Sequence, residues 1–154
     1  MVVVPYPAPQ LLAGDPVPTS DALPITKRKP KSTAAAWSKG DPVWWNNSNH
    51  NFEKITSGTG DMTIAAEDAL IGDTTGVVYV SNISVVAKMG GVIQPGDGVK
   101  GSTTDASELI ADTARTHATY EYHPNVTPIE TPHSGTVTAD GELGVIKLLE
   151  AEKF

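Results

Sequence analysis

Glycine and proline interrupt this chain so often that no run of regular structure is expected to exceed about ten residues. The 154 residues include 14 Gly and 12 Pro, and both residue types weaken helices and end strands. Long helices are therefore disfavoured, and short strands joined by tight turns are favoured. The sequence predicts a mainly β fold, a small β-sandwich or barrel with one or two short helices, of a size that suits one domain.

The N-terminal part of the chain is especially rich in proline, with seven of the twelve prolines in the first thirty residues. Because proline fixes φ and lacks an amide hydrogen, this part favours an extended, polyproline-like conformation. We predict that residues 1–36 form an extended Pro-rich arm and that residues 37–154 form a β-rich domain. A disordered tail is the alternative, but the arm carries apolar side chains suited to burial on another surface. These side chains include Val2, Val3, Val4, Tyr6, Leu11 and Leu12.

Charge is distributed unevenly along the chain, whose net charge is −7. Residues 1–36 carry four basic residues (Lys27, Arg28, Lys29 and Lys31) against two aspartates, so this part is +2 and the rest is −9. An acidic body repels phosphate backbones, so no nucleic-acid partner is expected. No apolar run approaches the roughly 18 residues of a membrane span, so no membrane partner is expected. The basic cluster either solvates the arm or contacts an anionic surface.

Several short segments of the body have the composition of strands. Residues 43–45 and 52–55 are predicted to form a hairpin, and residues 77–80 and 83–87 either pair through a turn or form one bent strand. A capping-box spacing that begins at residue 105 predicts a short helix or a loop. The body is therefore expected to consist mostly of short antiparallel strands.

A four-residue pattern, Gly-Asp-x-Val, precedes two of the predicted strands. Glycine can supply positive φ, aspartate can bond a backbone amide two residues on, and valine can enter the core. A third copy at residues 14–17 lacks a following strand pattern and is interpreted as a coincidence. The predicted structural corners are Gly40, Asp41, Val43, Gly96, Asp97 and Val99.

The position of Lys88 raises the possibility of a carrier domain that holds biotin or lipoate. In such domains the modified lysine lies on a hairpin between two half-repeats. Only seven residues separate Lys88 from Gly96, too few for a second half, so no cofactor is expected.

No motif predicts catalysis or metal binding. The chain has no Cys, and His50, His117, His123 and His133 lack the spacing of metal ligands. Nucleophile-elbow and phosphate-loop patterns are absent from the sequence. We expect a protein that is not an enzyme. The alternative is a hydrolase that uses His123 or His133 in the Pro-rich connection 122–134.

The three tryptophans, Trp37, Trp44 and Trp45, are predicted to be anchors of the core or of an interface. A carbohydrate-binding platform built from Trp44 and Trp45 is the alternative.

Three stretches, "KGDPVWWNNSNHNFEKI", "GVVYVSNISVVAKMGGVIQPGDGVKGST" and "TADGELGVIKLL", resemble the capsid decoration (cement) proteins of tailed bacteriophages. The resemblance covers roughly residues 37–149. It implies a β-sandwich or barrel knob, commonly a homotrimer and otherwise a dimer, whose partner is the major capsid protein. It also implies synthesis in the host cytoplasm and a final location on the outer capsid surface of the virion.

The family resemblance gives the arm an expected role, namely to lie across neighbouring capsid subunits and clamp them. Val2 to Tyr6 and Leu11-Leu12 would be buried there, while Lys27, Arg28 and Lys29 would face acidic capsid surface. Deletion of residues 1–30 is then expected to leave a folded body that no longer binds capsids. A carbohydrate- or receptor-binding β-module on a virion surface is the alternative function.

Overall fold

The computed structural model describes residues 11–17, 25–54, 61–80, 84–112, 114, 120–122 and 141–148. All regular structure in these ranges is β, which confirms the mainly β prediction. The strands are β1 (Thr26–Pro30), β2 (Pro42–Asn46), β3 (Asn51–Lys54), β4 (Met62–Ile64), β5 (Thr75–Tyr79), β6 (Ser84–Lys88), β7 (Gly98–Gly101), β8 (Leu109–Ala111), β9 (Tyr120–Tyr122) and β10 (Leu143–Leu148).

Five strands, β1 to β5, form a closed ring that we call the first barrel. Antiparallel pairing gives the orders β3-β2-β4 and β1-β5. Two single bridges join these sheets, one between Lys31 and Phe52 and one between Ala65 and Val78. The backbone amide of Ser32 donates to the carbonyl of Phe52 at 2.8 Å, and that of Ala66 donates to Val77 at 2.9 Å. The ring therefore runs β1-β3-β2-β4-β5 and back to β1.

The remaining five strands form one antiparallel sheet in the order β6-β10-β9-β7-β8. This sheet curls until its two ends meet, because Met89, just after β6, bridges Leu109 of β8. The amide of Gly90 donates to the carbonyl of Leu109 at 2.7 Å. We call this unit the second barrel. Closure leaves each barrel few unpaired strand edges.

The two barrels share a core around β4 and β5, where residues 62–65 and 77–80 contribute to two apolar clusters. Ala65, Val78 and Val80 belong to the smaller cluster inside the first barrel. Met62 and Tyr79 belong to the larger cluster with residues of the second barrel. Because both faces of these strands are buried, the two barrels pack as one unit.

A hydrogen-bonded group of polar side chains lies inside the larger cluster. The Thr63 hydroxyl donates to the carbonyl of Tyr79 at 2.6 Å and lies 3.0 Å from the Tyr120 hydroxyl. Both Thr63 and Tyr120 are fully buried. A buried hydroxyl without a partner is costly, so this pair fixes how the two barrels meet.

The predicted short helices do not occur in the described ranges. Where the capping-box spacing begins, the Asp105 carboxylate accepts hydrogen bonds from the amide and hydroxyl of Ser107, at 2.9 and 2.6 Å. The Glu108 carboxylate pairs with Lys88 at 3.3 Å. These short side-chain contacts favour a loop over a helix.

The predicted boundary at residue 36 does not correspond to a break in packing. β1 pairs with β5 along its whole length, from Thr26 with Tyr79 to Pro30 with Thr75. Residues 11–17 pack along β6, as described below. The described parts of the predicted extended arm, residues 11–17 and 25–36, therefore pack against the body.

Buried tyrosines make the stability of this core sensitive to alkaline pH. Burial, with a smaller contribution from Asp15, raises the pKa of Tyr79 to about 12. Burial, with a smaller contribution from Glu142, raises the pKa of Tyr122 to about 12. Burial also raises the pKa of Tyr120, although the hydrogen bond to Thr63 opposes this. Each phenol is therefore neutral in the folded protein where an unfolded tyrosine would ionise.

We expect the free energy of unfolding to fall as pH rises above about 10, the pKa of tyrosine in an unfolded chain. The neutral phenols favour the folded state fully below that pH, and this contribution disappears as pH rises through the folded pKa values. The expected loss is at most about 1.4 kcal/mol per pH unit for each tyrosine. Urea denaturation between about pH 8 and pH 11 measures it. Tyr122→Phe is the control and should weaken the pH dependence; an unchanged slope in this variant would contradict the assignment.

Candidate functional site

Four turns of the same geometry occur in the described residues, and the last two residues of each turn are Gly-Asp. In every case the glycine has positive φ: 88° at Gly14, 92° at Gly40, 90° at Gly72 and 87° at Gly96. The aspartate amide donates to the carbonyl three residues earlier, as in Asp15 to Leu12 at 3.0 Å. Glycine at the third position with this hydrogen bond is typical of a type II turn. We call these the Gly-Asp turns.

The aspartate side chain closes each Gly-Asp turn a second time. Its carboxylate accepts a hydrogen bond from the backbone amide three residues earlier, at 2.8 to 2.9 Å. The aspartate thus both donates to and accepts from one residue, which satisfies the amide and the carbonyl of that residue in each turn. The four pairs are Leu12 with Asp15, Ser38 with Asp41, Leu70 with Asp73 and Gln94 with Asp97.

The Gly-Asp turns agree with the predicted corners in part and differ from them in part. Gly40 and Gly96 occupy the expected positive-φ positions, and Val43 and Val99 are fully buried. The aspartates, however, bond three residues back and not two residues on. The copy at residues 14–17, interpreted as a coincidence, forms the same turn. A fourth turn at residues 70–73 was missed because no valine follows its aspartate.

Two of the Gly-Asp turns press directly against each other. A methyl group added to Gly14 would lie 2.6 Å from the backbone nitrogen of Gly40, and one added to Gly40 would lie 2.6 Å from the carbonyl carbon of Ala13. Such distances are too short for any side chain larger than hydrogen. The Lys39 ammonium also binds the Asp15 carboxylate at 2.6 Å. We call this contact the glycine lock.

The glycine lock joins residues 11–17, which we call the clip, to the turn that precedes β2 of the first barrel. Backbone hydrogen bonds also hold the clip against β6 of the second barrel. The amides of Gly14 and Val17 donate to the carbonyls of Val86 and Ser84 at 2.7 and 2.8 Å. In return, the amide of Val86 donates to the carbonyl of Asp15 at 3.0 Å. The clip therefore extends the sheet at the free side of β6.

The clip also covers apolar side chains on the outer face of β6 and β10. Val17, Val86 and Val145 form a buried cluster of their own, with Leu11 and Leu143 packed against it. The Tyr79 hydroxyl donates to the carbonyl of Gly14 at 2.7 Å, from the core that the barrels share. The clip is thus joined to the body by backbone hydrogen bonds, by apolar contacts and by the buried side chain of Tyr79.

Asp15 carries charge next to this junction. Although partial burial raises the pKa of Asp15, the hydrogen bonds from Lys39 and from the Leu12 amide, together with the Lys39 charge, outweigh it and lower the pKa below its usual value. The carboxylate therefore stays ionised and bound to Lys39 at neutral pH.

The basic cluster predicted to lie on the arm forms β1 of the first barrel. Lys27 and Arg28 are exposed and Lys29 is half-buried. The Arg28 guanidinium donates to the Thr75 hydroxyl at 3.2 Å. These residues are therefore held at fixed positions on the body, and their contact with a capsid stays a prediction.

Lys31 differs from the other basic residues because it is buried, with 4% of its surface exposed. Its ammonium donates to the carbonyls of Ser32, Ala35 and Leu70 at 2.8, 2.6 and 3.2 Å. It also lies 5.3 Å from the centre of the Trp37 ring. These contacts compensate the loss of hydration and fix the loop around residue 70.

The tryptophans are core residues to different degrees. Trp37 is 3% exposed and its indole nitrogen donates to the carbonyl of Glu67 at 3.0 Å. Trp45 packs edge-on against Phe52 in the smaller cluster, whereas Trp44 packs against the larger cluster. Trp44 and Trp45 therefore face opposite sides of β2, which disfavours a shared carbohydrate platform.

Leu70 and Ile71 are the most exposed large apolar residues of the described chain, at 70% and 72%. They occupy the first two positions of a Gly-Asp turn. The acidic residues Glu67, Asp68 and Asp73 flank them and are exposed. We call residues 67–73 the acidic tip.

Among the residues that the structure describes, the other residues considered in the sequence analysis do not form a catalytic arrangement. Lys88 pairs with the buried Glu108 at 3.3 Å, and Lys54 pairs with the buried Asp41 at 3.2 Å. No group of three His, Asp or Glu that could hold a metal ion occurs in these ranges. His50 lies exposed in the β2–β3 turn with a φ of 53°.

Several predicted residues lie outside the described ranges. They are Val2, Val3, Val4 and Tyr6 of the arm, and His117, His123 and His133. In the ranges that are described, no helix is long and apolar enough to cross a membrane.

Alanine at Gly14 or Gly40 should destabilise the protein more than alanine at Gly96. All three changes place a side chain at positive φ, which costs about 1 kcal/mol. Only the first two also force atoms into the glycine lock, which adds roughly 1 to 3 kcal/mol. A methyl group at Gly96 would meet no atom within 4 Å, which makes Gly96→Ala the matched control.

Denaturant unfolding measures the three free energies, and hydrogen exchange at Gly14 and Val17 reports whether the clip is released. Equal losses for all three variants would show that the glycine lock contributes nothing beyond backbone strain.

No protein-family model matches the chain, and no match to a curated protein was found.

Proposed function

We propose that the protein is a structural virion protein that binds the outer surface of a phage capsid and clamps neighbouring capsid subunits. The clip is the observation that carries this proposal. It anchors the chain on the second barrel, so the ten residues that precede Leu11 start from a fixed point on a folded body. Support also comes from the capsid-decoration motifs, since two of the quoted stretches contain Gly-Asp turns.

The contact with the capsid is assigned to residues 1–10. Val2, Val3, Val4 and Tyr6 offer apolar surface there, and Pro5, Pro7 and Pro9 limit the conformations of the free chain. Fewer free conformations lower the entropy lost on docking. Burial of each large apolar side chain contributes about 1.5 to 3 kcal/mol before such losses. A contact of this size binds a single copy weakly, but many copies bound to one capsid together stabilise it strongly.

To clamp capsid subunits, the protein must transmit mechanical force from its capsid contact to its folded body. The clip meets this requirement because its backbone bonds to β6 and the glycine lock act together. Three backbone hydrogen bonds, at 2.7, 2.8 and 3.0 Å, connect it to β6. Breaking the clip would also expose Val86 and Val145 to water.

A truncation that removes only residues before Leu11 tests the proposed function. Removal of residues 1–30 would also remove the clip and β1, so a loss of binding could reflect unfolding. Removal of residues 2–10 keeps both. Urea denaturation of this variant separates loss of the capsid contact from loss of folding. A variant that remains folded should fail to sediment with purified capsids.

A second truncation, of residues 2–17, provides the comparison. It removes the clip as well, so it should lose both capsid binding and stability, by about 2 kcal/mol or more from the exposed valines. Capsid binding by the 2–10 deletion that equals binding by the full chain would overturn the proposed function.

A further inference from the structure

β1 concentrates positive charge on an otherwise acidic molecule. Lys27, Arg28 and Lys29 follow one another on this strand, and the chain as a whole carries −7. Ile25, which is 52% exposed, precedes the strand. β1 therefore presents basic and apolar groups together. A surface of this kind favours a partner with acidic groups around an apolar projection.

The acidic tip has the complementary character. It projects Leu70 and Ile71 between Glu67, Asp68 and Asp73, so its apolar pair is surrounded by three carboxylates. Large exposed apolar residues at one position of a small protein are typical of interaction sites.

The acidic tip is held rigidly by hydrogen bonds. The Leu70 amide donates to the Asp73 carboxylate at 2.8 Å, and the Leu70 carbonyl accepts from the Lys31 ammonium at 3.2 Å. The Gly72 amide donates to the carbonyl of Thr33 at 3.0 Å, and the Asp68 carboxylate accepts from the Lys39 amide at 2.7 Å. Because the backbone is already ordered, docking of the tip would cost little conformational entropy.

The tip and β1 are neighbours in the fold. The amide of Lys31, just after β1, donates to the carbonyl of Thr74, just after the tip, at 2.9 Å. Pro30 pairs with Thr75 in the same ladder. One region of the molecule therefore carries an acidic apolar projection beside a basic strand. A symmetric self-association needs such a surface, because each copy must offer both halves of the contact.

We propose that a second copy of this chain is the partner, with the acidic tip of one protomer docked on the basic β1 of another. Leu70 and Ile71 would lie against Ile25 of the neighbour, and the tip carboxylates would face Lys27 and Lys29, which share one face of β1, whereas Arg28 lies on the other face. Direct edge pairing of two β1 strands is disfavoured, because it would place these like charges opposite one another. The contact is independent of the capsid and involves neither residues 1–10 nor the clip.

Sedimentation equilibrium of the full chain tests the proposal. The wild type should assemble reversibly, and assembly should weaken as salt rises because charge contributes to the contact. Leu70→Ser/Ile71→Ser should weaken assembly by roughly a hundredfold, the effect of two interface anchors. The control is Val92→Ser, which alters an apolar residue that is also exposed, at 63%, and should assemble like the wild type.

A charge exchange tests which surfaces meet. Lys27→Glu/Lys29→Glu and Glu67→Lys/Asp68→Lys should each assemble at least about threefold more weakly than the wild type, and the second pair of changes leaves the tip positive because Asp73 is then its only carboxylate. An equimolar mixture of the two should regain strong assembly, since each reversed strand then finds a reversed tip and each native strand a native tip. Thermal unfolding of each variant verifies that it remains folded.

Three outcomes would overturn the proposal. The wild type could remain monomeric at every concentration, the tip variant could assemble as well as the control, or the mixture could show no recovery. A monomeric wild type whose capsid binding is lost in Lys27→Glu/Lys29→Glu would instead assign β1 to the capsid.

Discussion

The fold depends on one repeated interaction, the double hydrogen bond between an aspartate and the residue three positions before it. The described strands are three to six residues long, so the chain must turn often. Each turn leaves an amide and a carbonyl that the sheet cannot satisfy. In the Gly-Asp turns one aspartate satisfies both, as with Gln94 and Asp97 at 2.9 and 3.0 Å. Glycine at positive φ makes this geometry possible without strain.

The repeated turn explains both what the sequence predicts and where prediction fails. The positive φ of Gly40 and Gly96 follows from the residue type and its position before a strand. The turn at Gly14 is not predicted because no strand pattern follows it, yet a turn needs only its own residues. The direction of the aspartate bonds could not be read from spacing, because a short polar side chain reaches backbone amides on either side.

Larger errors arose where tertiary contacts decide the structure. β1 looks like a solvated arm because it is basic and ends in proline, but its backbone pairs with β5 regardless of its side chains. Lys31 is buried because three carbonyls surround its ammonium, an arrangement assembled from residues 32, 35 and 70. The runs 77–80 and 83–87 contribute to β5 and β6, which belong to different sheets. Residue type predicts that a segment is a strand but does not identify its partner.

The clip and the acidic tip are the two surfaces next to which we assign contacts. The clip lies along β6 of the second barrel, whereas the tip and β1 belong to the first barrel. Lys39 connects them, because its ammonium binds the Asp15 carboxylate of the clip at 2.6 Å and its amide donates to the Asp68 carboxylate of the tip at 2.7 Å. In the function that we propose, residues 1–10 would bind the capsid while the tip binds a neighbouring copy. Weak contacts of both kinds would then reinforce each other, because each capsid contact would raise the local concentration of copies available for self-association.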